Sequence, residues 1–179
     1  MSDHATPPWQ YTGESRPPFA ETPRAGQLSV WDFPRPPTHS VDPRRVVVRV
    51  GSRVVAESMR TRRVIETASP PTFYLPPADV DPGLLVAAPG TSICEWKGRA
   101  AYWSVCIPGL PALQAVAWSY PEPRPEFAAI AGWFSFYPGR LHCEVDGERV
   151  RPQPGGFYGG WMTDEIAGPV KGGPGSSNW

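Results

Sequence analysis

The segment RRVVVRV at residues 44–50, followed by Gly51-Ser52 and by RVVAES at residues 53–58, decides the fold class. Both runs are rich in β-branched residues, which are typical of strands, and a two-residue connection between such runs is typical of a β-hairpin. Asp146-Gly147, inside LHCEVDGERV, gives the same signal further along the chain. We therefore predict an antiparallel β architecture.

Short apolar runs, separated by proline-marked turns, continue between these two hairpins. They are RRVIET (62–67), TFYL (72–75), LLVAA (84–88), AAYWSVCI (100–107), LQAVAWSY (113–120) and WFSFY (133–137). Only EFAAIA at residues 126–131 favours a helical turn or two. The 25 prolines and 18 glycines among 179 residues argue against long helices. We predict a single, mainly β domain with minimal helix.

We predict disorder for the N-terminal segment of the chain and order for the C-terminal segment. Residues 1–27 mix proline, polar and scattered aromatic residues without apolar periodicity, and we predict a disordered, mobile proline-rich arm. The domain then covers residues 28–179 and begins with a proline-fixed strap, VWDFPRPP at residues 30–37. The stretch from residue 155 to residue 179 holds 8 glycines but keeps bulky aromatic residues such as Trp161, so we predict an ordered wrap around the domain.

Charge and cysteine content narrow the class of protein. Seventeen basic residues balance 17 acidic ones, so no net field attracts the chain to nucleic acid or to a membrane. The longest uncharged run, residues 100–121, is interrupted by Pro108-Gly109-Leu110-Pro111. The N-terminal residues show no signal-peptide core, and the three cysteines form no C-x-x-C pair. We expect a soluble, cytoplasmic protein that binds neither nucleic acid nor membrane.

The chain resembles the bacterial family DUF427 through motifs that follow one another from about residue 28 to residue 179. They are VWDFPRPP (30–37), Ser92-x-Cys94-x-x-Lys97-Gly98-x-Ala100-x-Tyr102-Trp103, Ala117-Trp118-x-Tyr120-Pro121, Ala129-Ile130-Ala131-Gly132, Phe136-Tyr137 and GGFYGGWMTDEIAGPVKGGPG (155–175). The resemblance implies a β-tent fold, in which two antiparallel sheets lean together over a pocket. Zinc-bearing members of that wider fold group hold their metal with paired C-x-x-C motifs. Because this chain lacks them, we expect no metal and no cofactor.

The same family sometimes carries a nucleotidyltransferase label. A polymerase-β type of enzyme needs a Gly-Ser turn that opens a helix, and an acidic pair that holds two magnesium ions. Gly51-Ser52 lies between two strand-like runs instead, and Asp79 and Asp81 lie in a proline-flanked turn, where aspartate usually caps its own backbone. We consider this activity the weaker interpretation.

Cys94-Glu95-Trp96-Lys97-Gly98 is the most suggestive stretch for chemistry. A lysine three residues after a cysteine can stabilise its thiolate, and aromatic neighbours can lower the pKa of a lysine. The alternative is structural: Cys94 is a small buried side chain, and Lys97 pairs with a carboxylate such as Glu66. The chain has only two lysines, Lys97 and Lys171, and the resemblance places Lys97 in a family motif. We favour a functional role for Lys97 and a structural one for Cys94.

Aromatic residues follow the same strands as these polar groups. Adjacent residues on a strand point to opposite faces, so Tyr102 and Trp103 separate, as do Trp118 and Ser119. One face can then line a cavity while the other fills the core. We predict a pocket with ligand-binding residues Glu66, Tyr74, Lys97, Tyr102, Trp118 and Tyr120.

Three functions remain open from the sequence. The first is a β-tent module that binds an unidentified small molecule. The second is an enzyme that uses Lys97 with Glu66 or Cys94 as acid, base or nucleophile. The third is a scaffold whose proline-rich arm recruits a partner. A homodimer is the assembly that we leave open. The seven arginines between residues 44 and 63 favour a solvated sheet face over a nucleic-acid site.

Overall fold

The computed structural model describes residues 9–179 and is mainly β, as the sequence predicted. Its strands are β1 (Leu28–Ser29), β2 (Thr38–Asp42), β3 (Val46–Val50), β4 (Arg53–Ser58), β5 (Thr61–Glu66), β6 (Ser69–Tyr74), β7 (Leu85–Cys94), β8 (Gly98–Val105), β9 (Leu113–Ser119), β10 (Phe134–Phe136), β11 (His142–Val145), β12 (Glu148–Arg149), β13 (Arg151–Pro152), β14 (Trp161–Met162) and β15 (Ile166–Ala167). Helical structure in residues 9–179 is limited to short 3₁₀ turns at Val30–Asp32, Pro77–Asp79, Pro82–Leu84 and Pro125–Ile130. None of these helices has the length and apolar character needed to cross a membrane.

The strands form several sheets rather than only the two that we expected. The largest are two four-stranded antiparallel sheets, with strand orders β10-β9-β8-β7 and β12-β11-β3-β4. A three-stranded sheet has the order β2-β5-β6, and two small pairs join β13 to β14 and β1 to β15. The last pair is parallel. Leu75, just after β6, exchanges backbone hydrogen bonds with Phe134 of β10 and so links the three-stranded sheet to the first four-stranded sheet.

Both hairpins predicted from the sequence are confirmed. β3 and β4 pair antiparallel around Gly51-Ser52. β11 and β12 pair around Asp146 and Gly147, whose φ angles of 47° and 80° are both positive. Two positive φ angles in a row are the mark of a type I′ turn, for which Asp-Gly is a preferred sequence because glycine has no Cβ. Local turn chemistry therefore sets the register of the β11–β12 hairpin.

The sheet β10-β9-β8-β7 separates two apolar clusters. On one face, residues of β8 to β10 such as Val105 and Phe136 pack with β3, β4 and β11 in the main core. On the other face lies a smaller cluster that includes Tyr74 and Trp118. This second cluster is the floor of the site described below.

The disordered arm expected for residues 1–27 needs correction over its described part. Glu21 hydrogen bonds with Gly168 through its backbone N–H, at 2.8 Å, and through its carboxylate. The ring of Phe19 stacks on that of Trp179 with centroids 5.0 Å apart. Arg16 forms an ion pair with Asp32. These partners lie far away in sequence, so no local pattern predicts the packing. Residues 1–8 lie outside the described residues.

A buried carboxylate joins the three-stranded sheet to the start of β3. Asp42, the last residue of β2, accepts hydrogen bonds from the side chain of Arg44 at 2.6 and 2.9 Å and from its backbone N–H at 3.1 Å. Arg63 lies 3.7 Å away, and Arg44 also contacts Glu165. Burial raises the pKa of Asp42, but the hydrogen bonds and charges of the two arginines outweigh burial and lower it from its ordinary value.

We expect Asp42→Asn to lower the free energy of unfolding by about 1.5–3 kcal/mol at pH 7, the range for a hydrogen-bonded charged group. Because the folded-state pKa is lowered, this stabilisation is present above the unfolded pKa of about 3.9 and is lost as pH falls through the folded value. Urea denaturation at pH 7, 4 and 2.5 measures the difference between wild type and variant. The difference should shrink below pH 4, and a difference that stays constant would show that charge is not its source.

Candidate functional site

A cavity of about 780 Å³ lies between β5 and β6 on one side and β7, β8 and β9 on the other. It receives side chains from all five strands, and the loop at residues 156–160 also lines it. All of the residues that the sequence analysis proposed for the site line this one cavity: Glu66, Tyr74, Cys94, Lys97, Tyr102, Trp118 and Tyr120.

Strand alternation places the aromatic wall as predicted. Tyr102 of β8 and Trp118 of β9 are direct cross-strand neighbours, and both line the cavity. Their sequence neighbours Trp103 and Ser119 lie on the opposite face, where the Trp103 Nε1–H donates to the Ser119 hydroxyl at 2.9 Å. Because side chains alternate along a strand, one residue of each pair of sequence neighbours points into the cavity and the other points to the opposite face.

Hydroxyl groups hold the wall together. The indole N–H of Trp118 donates to the Tyr74 hydroxyl at 3.3 Å, and the hydroxyl groups of Ser92 and Tyr102 lie 2.7 Å apart. Burial raises the pKa of Tyr74 and Tyr120, and it raises the pKa of Tyr137 to about 12. These phenols therefore remain protonated at neutral pH and can both donate and accept hydrogen bonds.

The β7–β8 hairpin positions Lys97. Cys94 pairs with Gly98, so Glu95, Trp96 and Lys97 form its loop. Gly98 has a φ angle of 98°, which favours glycine and lets the chain re-enter β8 directly after Lys97. The carbonyl of Lys97 accepts a hydrogen bond from the backbone N–H of Arg124 at 3.1 Å, which fixes the loop from outside the sheet.

Lys97 is a charged group in an aromatic environment. Its ammonium lies 5.8 Å from the ring centre of Tyr120 and 5.6 Å from that of Phe127. Burial lowers the pKa of Lys97, but the ionisable groups around it, led by Tyr74 and Cys94, outweigh burial and raise it. This direction is opposite to the lowering that we considered from the sequence, and it favours the ammonium form of Lys97.

Glu66 does not pair with Lys97, contrary to the structural alternative. Its carboxylate accepts a hydrogen bond from Arg35 Nε at 3.2 Å. Arg35 belongs to the strap at residues 30–37, whose path across the end of β5 brings the guanidinium to Glu66. No carboxylate within residues 9–179 lies within 4 Å of the Lys97 ammonium, because the ion pairs of that part of the chain all involve other cations.

Further residues that no local sequence pattern indicated also line the cavity, and four of them carry aromatic or charged side chains near its predicted residues. Tyr137 packs on Trp118 with ring centres 4.5 Å apart, and Tyr158 comes from the glycine-rich loop. Lys171 and Trp9 line the same cavity, with the Lys171 ammonium 3.8 Å from the ring centre of Trp9. The scarcity of lysine drew attention to Lys171, but nothing local indicated its location. Trp9 lies in the segment for which disorder was expected.

The groups required for magnesium-dependent nucleotidyl transfer are engaged elsewhere. Gly51-Ser52 forms the β3–β4 turn and precedes a strand rather than a helix. Asp79 accepts hydrogen bonds from Arg60 and Ser58, and Asp81 caps its own turn by accepting from the Gly83 N–H. Among residues 9–179, no group of three or more His, Cys, Asp and Glu side chains is placed to hold a metal ion.

The arginine-rich segment forms a paired surface. Arg45 contacts Glu57 and Arg49 contacts Glu144, and of the five other arginines of residues 44–63, four pair with carboxylates and one contacts a histidine. Their partners are Asp42 and Glu165 for Arg44 and Arg63, Asp81 for Arg53, Asp79 for Arg60 and His39 for Arg62. This pairing supports the interpretation of a solvated sheet face.

Comparison with known proteins identifies the family but no relative of known role. No curated protein matches the chain. One family model, described as a domain of unknown function (DUF427), matches residues 29–150. The match spans β2 to β12 and includes the hairpin of Lys97, the aromatic wall and Glu66. It covers more than half of the sequence, and the chain therefore belongs to the DUF427 family.

Proposed function

We propose that the chain is a small-molecule-binding module whose ligand occupies the aromatic cavity. The observation that carries the proposal is a 780 Å³ cavity that holds the Lys97 ammonium without a carboxylate partner among residues 9–179. Ligand pockets in proteins have volumes of roughly 300–1,000 Å³ and combine apolar walls with few polar groups. We expect a planar group of the ligand to pack against the wall that Tyr102, Trp118 and Tyr120 form, with a polar substituent at Lys97.

The protonation states favour binding over catalysis at Lys97. A nucleophilic lysine needs a neutral amine, whereas the raised pKa of Lys97 keeps it charged. The carboxylate of Glu66 is occupied by Arg35, which leaves it poorly placed as an acid or base. An ammonium that stays charged is suited to holding a carboxylate, phosphate or carbonyl oxygen.

The cytoplasm is the location that we propose for this module. Cys94, Cys106 and Cys143 are all free thiols, as expected in a reducing compartment. The homodimer and the recruitment of a partner by the proline-rich arm of residues 1–27 stay predictions.

Thermal unfolding of the full chain with indole, benzamide, benzoate, phenyl phosphate and adenosine monophosphate tests the proposal. A ligand at one hundred times its Kd adds about 2.7 kcal/mol of stability. Each kcal/mol raises the Tm of a chain of this size by about 2–4 °C. We expect at least one compound to raise the Tm, and Lys97→Met to reduce that shift by more than half. Lys97→Met keeps the length of the stem and removes only the charge.

Arg99→Met is the matched control. Arg99 follows Gly98 on β8, is exposed and does not line the cavity, so its loss removes a nearby cation without touching the site. A Tm shift that is equal in wild type and Lys97→Met would contradict the assignment of Lys97. The absence of a shift with every compound would contradict binding.

A further inference from the structure

Lys171 is a buried cation with little compensation. Lys171 is only 4% exposed, and its ammonium contacts no Asp or Glu side chain within residues 9–179. It donates one long hydrogen bond, 3.4 Å, to the backbone oxygen of Trp179, the last residue of the sequence, and faces the rings of Trp9 and Tyr158 at 3.8 and 5.3 Å. A lysine ammonium has three donors, so these contacts leave part of its hydrogen-bonding capacity unused.

Trp9 adds a second unused donor at the same place. Its indole Nε1 is buried and has no hydrogen-bond partner among the described residues. Two cations contact the ring, because the guanidinium carbon of Arg35 lies 4.6 Å from its centre and the Lys171 ammonium 3.8 Å. Buried donors without acceptors are costly, which suggests that an acceptor from a ligand completes the arrangement.

The charged residues that line the cavity also carry an excess of positive charge. Lys97 and Lys171 line the cavity as cations, and the carboxylate of Glu66, which also lines it, is already paired with Arg35 behind the lining. Glu95 and Arg140 also line the cavity, but both are exposed and offset each other in charge. Burial and the charge of Arg35 lower the pKa of Lys171, as expected for a site with an excess of positive charge.

We propose that Lys171 and Trp9 form an anion subsite, which binds a carboxylate or phosphate group of the ligand that occupies the aromatic cavity. This proposal rests on the proposed function and specifies its ligand class: a small planar compound with at least one anionic group. Glycines close to Lys171 and Tyr158 in sequence allow the two segments to approach closely. Gly155 and Gly172, for example, are so close that a Cβ on either would overlap backbone of the other segment.

Calorimetric titration of the full chain with benzoate, phenyl phosphate and neutral benzamide tests the subsite. We expect wild type to bind at least one anion about tenfold or more tightly than benzamide. Lys171→Met should weaken anion binding by about tenfold to one hundredfold, the range for a hydrogen bond to a charged group, and change benzamide binding less than twofold. Lys171→Arg keeps the charge and should retain the preference for the anion.

A spectroscopic measurement on wild type covers the case in which Lys171→Met fails to fold. The indole N–H signal of Trp9, assigned with Trp9→Phe, should move on addition of benzoate and not of benzamide. Equal affinity for benzoate and benzamide, or a Trp9 signal that does not move on addition of benzoate, would overturn the anion subsite. The cavity would remain a binding site in either case. If none of the probes binds at millimolar concentration, the proposed function fails and the subsite with it.

Discussion

Trp161→Ala should lower the free energy of unfolding by about 3–5 kcal/mol, the usual cost of truncating a fully buried tryptophan. Trp161 is 0% exposed and packs in the main core, with its ring 5.1 Å from that of Phe73. Its Nε1–H donates to the carbonyl of Phe136 at 3.0 Å, so the truncation also leaves a buried acceptor unpaired. Urea denaturation followed by circular dichroism measures the loss.

This prediction concerns the part of the chain beyond the family match, which ends at residue 150. Trp161→Phe is the conservative comparison: it keeps a ring against Phe73, loses the hydrogen bond and should cost less. Phe157→Ala is the matched control in the same segment, because Phe157 is 77% exposed and its truncation should change stability by no more than about 0.5 kcal/mol. A loss of less than 1 kcal/mol in Trp161→Ala would show that the C-terminal segment is not part of the core.

Turn residues in the sequence predicted the two hairpins, because the conformation of a hairpin turn depends on a few adjacent residues. The Gly51-Ser52 and Asp146-Gly147 turns lie where predicted, because turn residues fix hairpin register over a few positions. The packing of residues 9–27 was not predictable in this way. This segment is stabilised by contacts with Trp31, Gly168 and Trp179, and a composition rich in proline does not predict contacts with such partners.

The candidate site likewise contains residues that local patterns predict and residues that only the tertiary fold brings together. Tyr102 and Trp118 were predictable because the two-residue period of a strand assigns each side chain to one face, and the register between β8 and β9 then brings the two together. Lys171 and Trp9 come from irregular segments at opposite ends of the described chain. Only the tertiary fold makes them neighbours, and the same holds for the pairing of Glu66 with Arg35 rather than with Lys97.

Arg35→Ala should be the most damaging change next to the cavity, with a loss of about 3–5 kcal/mol, the range for removing one partner of a buried charge pair. The Arg35 side chain is 2% exposed. Its guanidinium donates to Glu66 and, at 2.8 Å each, to the carbonyls of Tyr11 and Thr67. Burial lowers the pKa of Arg35, and the charge of Glu66 opposes that effect. Urea denaturation at pH 7 measures the loss.

Two variants separate charge from geometry at Arg35. Arg35→Lys keeps the charge, but a single ammonium cannot reach three acceptors in the directions of a planar fork, so we expect an intermediate loss. The double variant Arg35→Met with Glu66→Gln removes both charges and should recover part of the stability lost in Arg35→Met alone, because no carboxylate is then left unpaired. Arg16→Ala is the matched control on the same N-terminal segment: the pair of Arg16 with Asp32 is exposed, and its loss should be far smaller. Equal losses in Arg35→Ala and Arg16→Ala would mean that Arg35 acts as a surface charge and that the strap, not its guanidinium, holds Glu66 in place.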